Sequence, residues 1–202
     1  MKNIKWTGIK VILIHLALIL ITCNLFPQKG FQLGYVNYDS NPKSNVLIAN
    51  GIQGGLTYDI KLRHLIYLHT AALLSVTYYK YNYRFSDGDY KLYDVNNFIS
   101  IPLQFKFILP QTSGFDVFVY TGPTLRGRFY GFGRYENLAT NEKYSYSYFS
   151  SPLKYGLTLF YGAGIGFKYK NGYIKGNYDW GILSPTDNIK MNSFSIAIGK
   201  IL

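Results

Sequence analysis

The sequence predicts an all-β fold, an eight-stranded antiparallel up-and-down transmembrane β-barrel. Three observations predict it. First, apolar and polar residues alternate after residue 28, most cleanly in Asn97–Leu109, where Ile99, Ile101, Leu103, Phe105, Phe107 and Leu109 fill every second place. A period of two is the period of a strand with one apolar face. Second, Tyr (21 residues) and Gly (20) abound while charged residues make up only 15%. Both are poor helix formers. Third, no apolar run beyond residue 28 reaches the ~20 residues of a membrane helix, so a chain that crosses a bilayer here must close as a barrel.

Met1–Lys10 is basic and Val11–Thr22 almost wholly apolar, which reads as a secretory signal peptide over residues 1–28, cut between 22 and 28. An uncleaved anchor is the alternative. No A-x-A pattern marks the cut. Leu20-Ile21-Thr22-Cys23 resembles a lipobox with Thr22 in place of a smaller residue, and the simpler reading of Cys23 is a cysteine late in a leader. Residues 29–202 then form the barrel. Its strands are expected at Phe31–Tyr38, Ile48–Ile60, Ile66–Phe85, Val95–Leu109, Phe115–Phe132, Pro152–Lys170, Tyr173–Leu183 and Asn192–Leu202.

Short connections are expected near Lys61–Leu65, at Pro110–Gly114 and at Asn171-Gly172, a strong hairpin signal. Long ones are expected at Asp39–Leu47, Ser86–Asp94, Gly133–Ser151 and Ser184–Met191. Short and long alternate, which gathers the short turns on one side of an up-and-down barrel, as in outer-membrane barrels. The polar strand faces carry Gly, Ser, Thr and Asn, too small and wet for a dry core, so the bulky faces should meet lipid. A soluble lipocalin-like ligand-binding barrel would show the reverse. Tyr58, Tyr78, Tyr169 and Tyr178 near strand ends suit interfacial aromatic girdles.

Composition narrows the partners. Setting aside Lys2, Lys5 and Lys10 leaves 18 basic against 10 acidic residues, a net charge of +8. That excess asks for an anionic neighbour, outer-membrane lipid such as lipopolysaccharide, rather than nucleic acid, since the charges are scattered over no recognisable binding motif. Cys23 is the only cysteine, so a mature chain carries no disulfide, thiolate zinc site or thiol nucleophile.

Several stretches resemble the PorT-type eight-stranded outer-membrane β-barrels, which are OmpX-like in shape. Asn97–Leu103 looks like that family's isoleucine-proline-leucine strand, Tyr120-Thr121-Gly122-Pro123 like its alanine-glycine-proline strand. Gly162–Gly166, Asn171-Gly172 and Asn177–Gly181 are similar to its last hairpin. The resemblance accommodates Pro102 inside a strand, otherwise an objection. It also implies handling by the barrel-assembly machinery and an association with protein secretion and gliding. The end, Lys200-Ile201-Leu202, lacks the family's terminal aromatic residue.

No constellation of residues points to catalysis or a cofactor. A lipid-modifying barrel enzyme would need His beside Ser; His64 belongs to a turn, and His69 is followed by Thr70 and Ala71. Asp87, Asp89 and Asp94 are dense enough to suggest calcium but lack the EF-hand glycine and glutamate spacing, so a solvated acidic loop is the better reading. Gly162–Gly166 falls inside a strand, where a dinucleotide fingerprint would need a strand-to-helix turn. Arg126, Arg128, Arg134, Lys80, Arg84 and Lys91 lie toward the long-loop side. Two readings stand equal: pairing with lipopolysaccharide phosphates, or, for Arg126 and Arg128, pairing inside the barrel with Asp179 or Asp59. The expectation is a monomeric, non-enzymatic protein of the bacterial outer membrane acting through external loops or through envelope or secretion partners. A lipid-modifying enzyme and a narrow solute channel are the alternatives.

Overall fold

The computed structural model describes residues 28–41, 47–85, 88–110, 114–149, 157–183 and 190–202. The leader reading, with Cys23 and the cut before residue 28, falls outside the described residues. Among the described residues nine strands follow in order: β1 (Gln28–Asn41), β2 (Leu47–Arg63), β3 (Ile66–Phe85), β4 (Gly88–Pro110), β5 (Phe115–Asn137), β6 (Lys143–Phe149), β7 (Leu157–Tyr169), β8 (Gly172–Leu183) and β9 (Lys190–Ile201). Eight of them close a ring, β1-β2-β3-β4-β5-β7-β8-β9 and back to β1, every pair antiparallel. Closure satisfies the backbone of every ring strand, which a bilayer demands.

Alternation turns the sequence pattern into two surfaces. Ile99, Ile101, Leu103, Phe105, Phe107 and Leu109 all face outward and are exposed, as are Phe31, Leu33, Ile52, Leu56, Leu74, Val76, Ile165, Phe167, Ile196 and Ile198 around the ring. Gln32, Gln53, Thr57, Ser75, Asn96, Ser100, Gln104 and Thr124 face inward and are buried. Apolar outside and polar inside is the arrangement of a barrel that spans a membrane. Along β4 the unbroken belt from Ile99 to Leu109, tilted as barrel strands are, rises roughly 25 Å, the height of an outer-membrane barrel's apolar band.

The two ends differ. At one end, 64–65 and 170–171 connect strands tightly, and only four residues lie between the end of β4 at Pro110 and the start of β5 at Phe115. At the other, β3, β4 and β5 run on past the belt, and β6 pairs with Tyr130–Glu136 of β5 in the place that β7 holds lower down. Of Ser86–Asp94, expected as a long loop, Gly88–Asp94 is strand: β3 and β4 pair up to Phe85↔Gly88, and 86–87 lie outside the described residues. Alternating tyrosines keep the ladder going where the polar residues suggested a loop. Gly133–Ser151 likewise contains the end of β5, the turn at 138–142 and β6, an added strand outside the expected ring of eight. The β7–β8 turn sits on Lys170-Asn171, with Lys170 at φ 52°, one residue before the expected Asn171-Gly172. The β2–β3 turn is shorter than expected, 64–65.

Candidate functional site

Side chains fill the bore at two levels. Near the tight-turn end, Asp59 of β2 lies directly across the ladder from His69 of β3. His69 Nδ1 is 2.5 Å from one Asp59 oxygen, and Lys106 Nζ donates to the other at 2.6 Å. Lys175 Nζ lies 3.1 Å from His69 Nε2. All four residues are buried. With Nδ1 donating to Asp59, Nε2 accepts from Lys175, and every member has a partner. Lys106 also sits 4.4 Å over the Phe118 ring and Lys175 5.3 Å over Tyr120. The cavity among Thr57, Asp59, His69, Lys106, Tyr120, Tyr173 and Lys175 is about 10 Å³. That is room for about one water.

Halfway up, the Arg126 guanidinium is held between two rings, 4.4 Å from Tyr38 and 4.2 Å from Phe160. Its Nε donates to Ser100 at 3.0 Å, and one terminal nitrogen lies 3.8 Å from Asp179, which accepts from Ser193 at 3.1 Å. Tyr38 also packs on Phe98, with centroids 5.4 Å apart. The remaining space between Arg126, Gln104, Tyr120 and Asp179 is about 30 Å³. Glycines on the same face make this filling possible: a Cβ at Gly164 would overlap the Tyr120 ring, and one at Gly162 the Asp179 carboxylate.

The projecting sheet has two different faces. Toward the bore axis stand Tyr79, Asp94, Tyr90, Leu92, Tyr135, Tyr144 and Tyr146, with Tyr79 hydrogen bonded to Asp94. Tyr135 is the hub: its ring is stacked with Tyr144 at 5.2 Å, tilted against Tyr146 at 6.1 Å, and edge-on to Tyr90 at 6.2 Å. Tyr146 covers Gly133, where a Cβ would overlap its ring. Away from the axis stand Lys80, Tyr93 and Arg134 in one cross-strand row, with Lys91 and Glu136 in the next. Both Lys80 and Lys91 lie over the Tyr93 ring, at 5.4 Å and 5.8 Å. Hydrogen bonding to Tyr93 raises the Lys91 amine above its ordinary range, and Glu136 adds to the effect.

The cations singled out from the sequence therefore divide. Arg126 faces the interior beside Asp179, and Arg128 faces inward near Asp94. Asp59 pairs with His69 and Lys106, not with an arginine. Lys80, Lys91 and Arg134 face outward; Arg84 is opposite Asp89 in the ladder, and its side chain is outside the described set. Even spacing would group Arg134 with Arg126 and Arg128. A bulge breaks that parity: Asn97 pairs with Tyr130 and Phe98 with Arg128, so Phe129 is an extra residue and everything beyond it flips. Asp94 is buried, Asp87 lies outside the described residues, and no group of three metal-ligating side chains occurs among the described residues. Sequence reasoning left His69 without an acid. It also missed the inward aromatics Tyr38, Phe118, Tyr120 and Phe160. Their signal was parity, since each shares a face with small polar residues.

No family model and no curated protein matches the chain. Among solved structures it is similar to Ail, the attachment invasion locus protein of Yersinia pestis, at 16% identity and TM-score 0.41, covering 87% of this chain and 99% of that one. It is similar to Neisserial surface protein A at 12% identity and TM-score 0.42, covering 86% and 97%. The outer membrane enzyme PagL follows at 10% and 0.41, covering 85% and 99%. At such scores the barrel rests on its own closed ladder and apolar belt, not on these likenesses.

Proposed function

We propose that this protein is a non-enzymatic barrel of the bacterial outer membrane, working through the sheet it holds outside the cell as an attachment surface for extracellular protein. The unpaired edge of β6 carries the reading. Among the described residues β6 bonds only to β5, so its other edge faces no described strand and offers N–H and C=O groups to an added one. Its sequence, Lys143-Tyr144-Ser145-Tyr146-Ser147-Tyr148-Phe149, has no proline, and its single charge stands at the start. Those are the devices that usually blunt an edge. The stacked tyrosines beside it supply rigid, amphipathic contact area at low entropic cost.

The interior favours neither transport nor lipid chemistry. His69 lies at the tight-turn end, periplasmic in barrels of this build, with both ring nitrogens engaged. A lipid-modifying site needs its base at a leaflet surface beside a nucleophile. A narrower kinship, to the PorT-type barrels and an accessory role in secretion, is supported by the motifs at Asn97–Leu103, Tyr120–Pro123 and Gly162–Gly181 alone; there the partner would be another envelope protein.

The test shortens the sheet. Tyr130 and Phe149 face each other across the ladder, so an Asn-Gly turn replacing residues 131–148 can join them without disturbing the ring. Cells carrying the full barrel should attach to protein-coated surfaces, and cells carrying the shortened one should lose that attachment while the barrel still shifts mobility on heating. Equal attachment by the two would overturn the proposal.

A further inference from the structure

We infer that the outward face of the projecting sheet binds the phosphorylated saccharide headgroup of an outer-leaflet glycolipid, held by Lys80, Lys91 and Arg134. Three cross-strand rows build the site. The lowest is Tyr78–Val95–Phe132, the next Lys80–Tyr93–Arg134, and the third Asn82–Lys91–Glu136. Rows two residues apart are about 7 Å apart, and strands about 4.8 Å apart, so the cations spread over about 10 Å of sheet. A phosphorylated sugar spans that distance; a lone inorganic anion does not.

Position selects the ligand. The hydrocarbon belt ends at Ile99 on β4, followed outward by Asn97, Val95 and Tyr93. The lowest row thus stands at the level of lipid headgroups, with Tyr78 and Phe132 exposed where amphipathic and aromatic side chains anchor a barrel. The cationic row stands one step further from the membrane. A cavity of about 310 Å³ joins the two levels, lined by Tyr78, Tyr93, Val95, Phe132, Arg134 and Glu136. Its lower lining, Tyr78, Val95 and Phe132, is apolar and aromatic, and its upper lining carries Arg134 and Glu136, which suits a glycolipid with acyl chains below and phosphate above.

The charge is only partly answered. Glu136, the acid of this patch, lies opposite Lys91 in the ladder and 3.6 Å from Lys143 of β6, so one carboxylate stands against Lys80, Lys91 and Arg134. Lys80 and Lys91 lie over the Tyr93 ring, and Arg134 Nε is buried with no hydrogen-bond partner among the described residues. Arginine and lysine so arranged suit phosphate, the arginine by a two-pronged hydrogen bond and the lysines as point charges. Arg134 reaches this face only because of the bulge at Phe129, which gives that irregularity a purpose beyond twist.

The inference rests on the outer-membrane placement, and its test keeps the two apart. The purified full-length mature chain, in neutral detergent, is offered a bisphosphorylated glucosamine-disaccharide lipid, the same lipid after enzymatic dephosphorylation, and the phosphorylated lipid with inorganic phosphate as competitor. Bound lipid is counted by native mass spectrometry. The expected result is one phosphorylated lipid retained per barrel, at least tenfold weaker retention by the Lys80→Gln/Lys91→Gln/Arg134→Gln variant, and similarly weak retention of the dephosphorylated lipid. The Lys80→Gln/Lys91→Gln variant serves if the triple one misfolds, and should lose at least threefold. Equal retention by parent and variant, or of both lipids, overturns the inference. Displacement by inorganic phosphate at equal concentration overturns it too, in favour of a small-anion site. Fractionation of the envelope reports on placement separately.

Discussion

Removing the Asp59 carboxylate strands Lys106, because that one group accepts from both Lys106 and His69 inside the barrel. Breaking one side of a buried ion pair costs about 3–5 kcal/mol, most of it from the charge left behind. Asp59→Asn should therefore lower unfolding stability in urea by about that much. Adding Lys106→Met should recover most of it, since the stranded charge is gone. A double variant as unstable as the single one would contradict the account. The pair was not legible in the sequence. The β2–β3 turn at 64–65 with an even ladder would place His69 opposite Ile60; the register shift between Lys61 and Arg63 brings it to Asp59 instead. Arg126 was half legible: its parity with lumen residues was plain, but not its seat between Tyr38 and Phe160. Arg134 was not legible at all, because one extra residue at Phe129 reverses its face.

At the scale of the strand, β4 shows what alternation reports reliably. Its six outward apolar residues from Ile99 to Leu109 are all exposed, as the period of two required. A charge placed there meets lipid at a depth set by its position. Phe105→Arg, near the middle of the belt, should destabilise the barrel in vesicles by about 2–4 kcal/mol, whereas Asn97→Arg at its upper rim should cost about 0–1 kcal/mol. Equal costs at the two places would mean the belt does not face lipid. Alternation said less about where strands stop. Ser86, Asp87 and Gly88 carry turn chemistry, and the whole of Ser86–Asp94 read as loop, yet only 86–87 separates β3 from β4. Cross-strand pairs such as Tyr78↔Val95 and Tyr79↔Asp94 extend the strands past the membrane. Tyrosine fits a pleated surface whether its surroundings are lipid, water or protein, so its presence fixed strand and left the boundary open.

At the scale of the molecule, eight ring strands enclose a bore just wide enough for side chains to fill. Two small spaces, about 10 Å³ and 30 Å³, are divided by Tyr120 and Lys175, which line both, and the Arg126 plug between its aromatic walls bounds the larger one. Planar bilayers carrying the refolded barrel should therefore show no steady unit conductance; Arg126→Ala, which removes the plug, is the variant in which brief openings should first be recorded. Steady channels from the parent would contradict a sealed interior. What remains outside is the sheet of β3, β4, β5 and β6, with a tyrosine face toward the barrel axis and a cationic face away from it. The fold was legible as far as strand count in the ring and the two faces; the sheet was not, since it depends on pairings between segments distant in sequence.

The central claim is a barrel that crosses the outer membrane with β6 outside and the tight turns inside. Because Cys23 is the only cysteine in the sequence, a Cys23→Ser background lets single cysteines report on each end without interference. Ser145→Cys in β6 and Asn171→Cys in the β7–β8 turn are both at exposed positions. A membrane-impermeant thiol reagent added to intact cells should label Ser145→Cys, and should reach Asn171→Cys only after the outer membrane is opened. Labelling of both before opening, or of Asn171→Cys alone, would contradict the account.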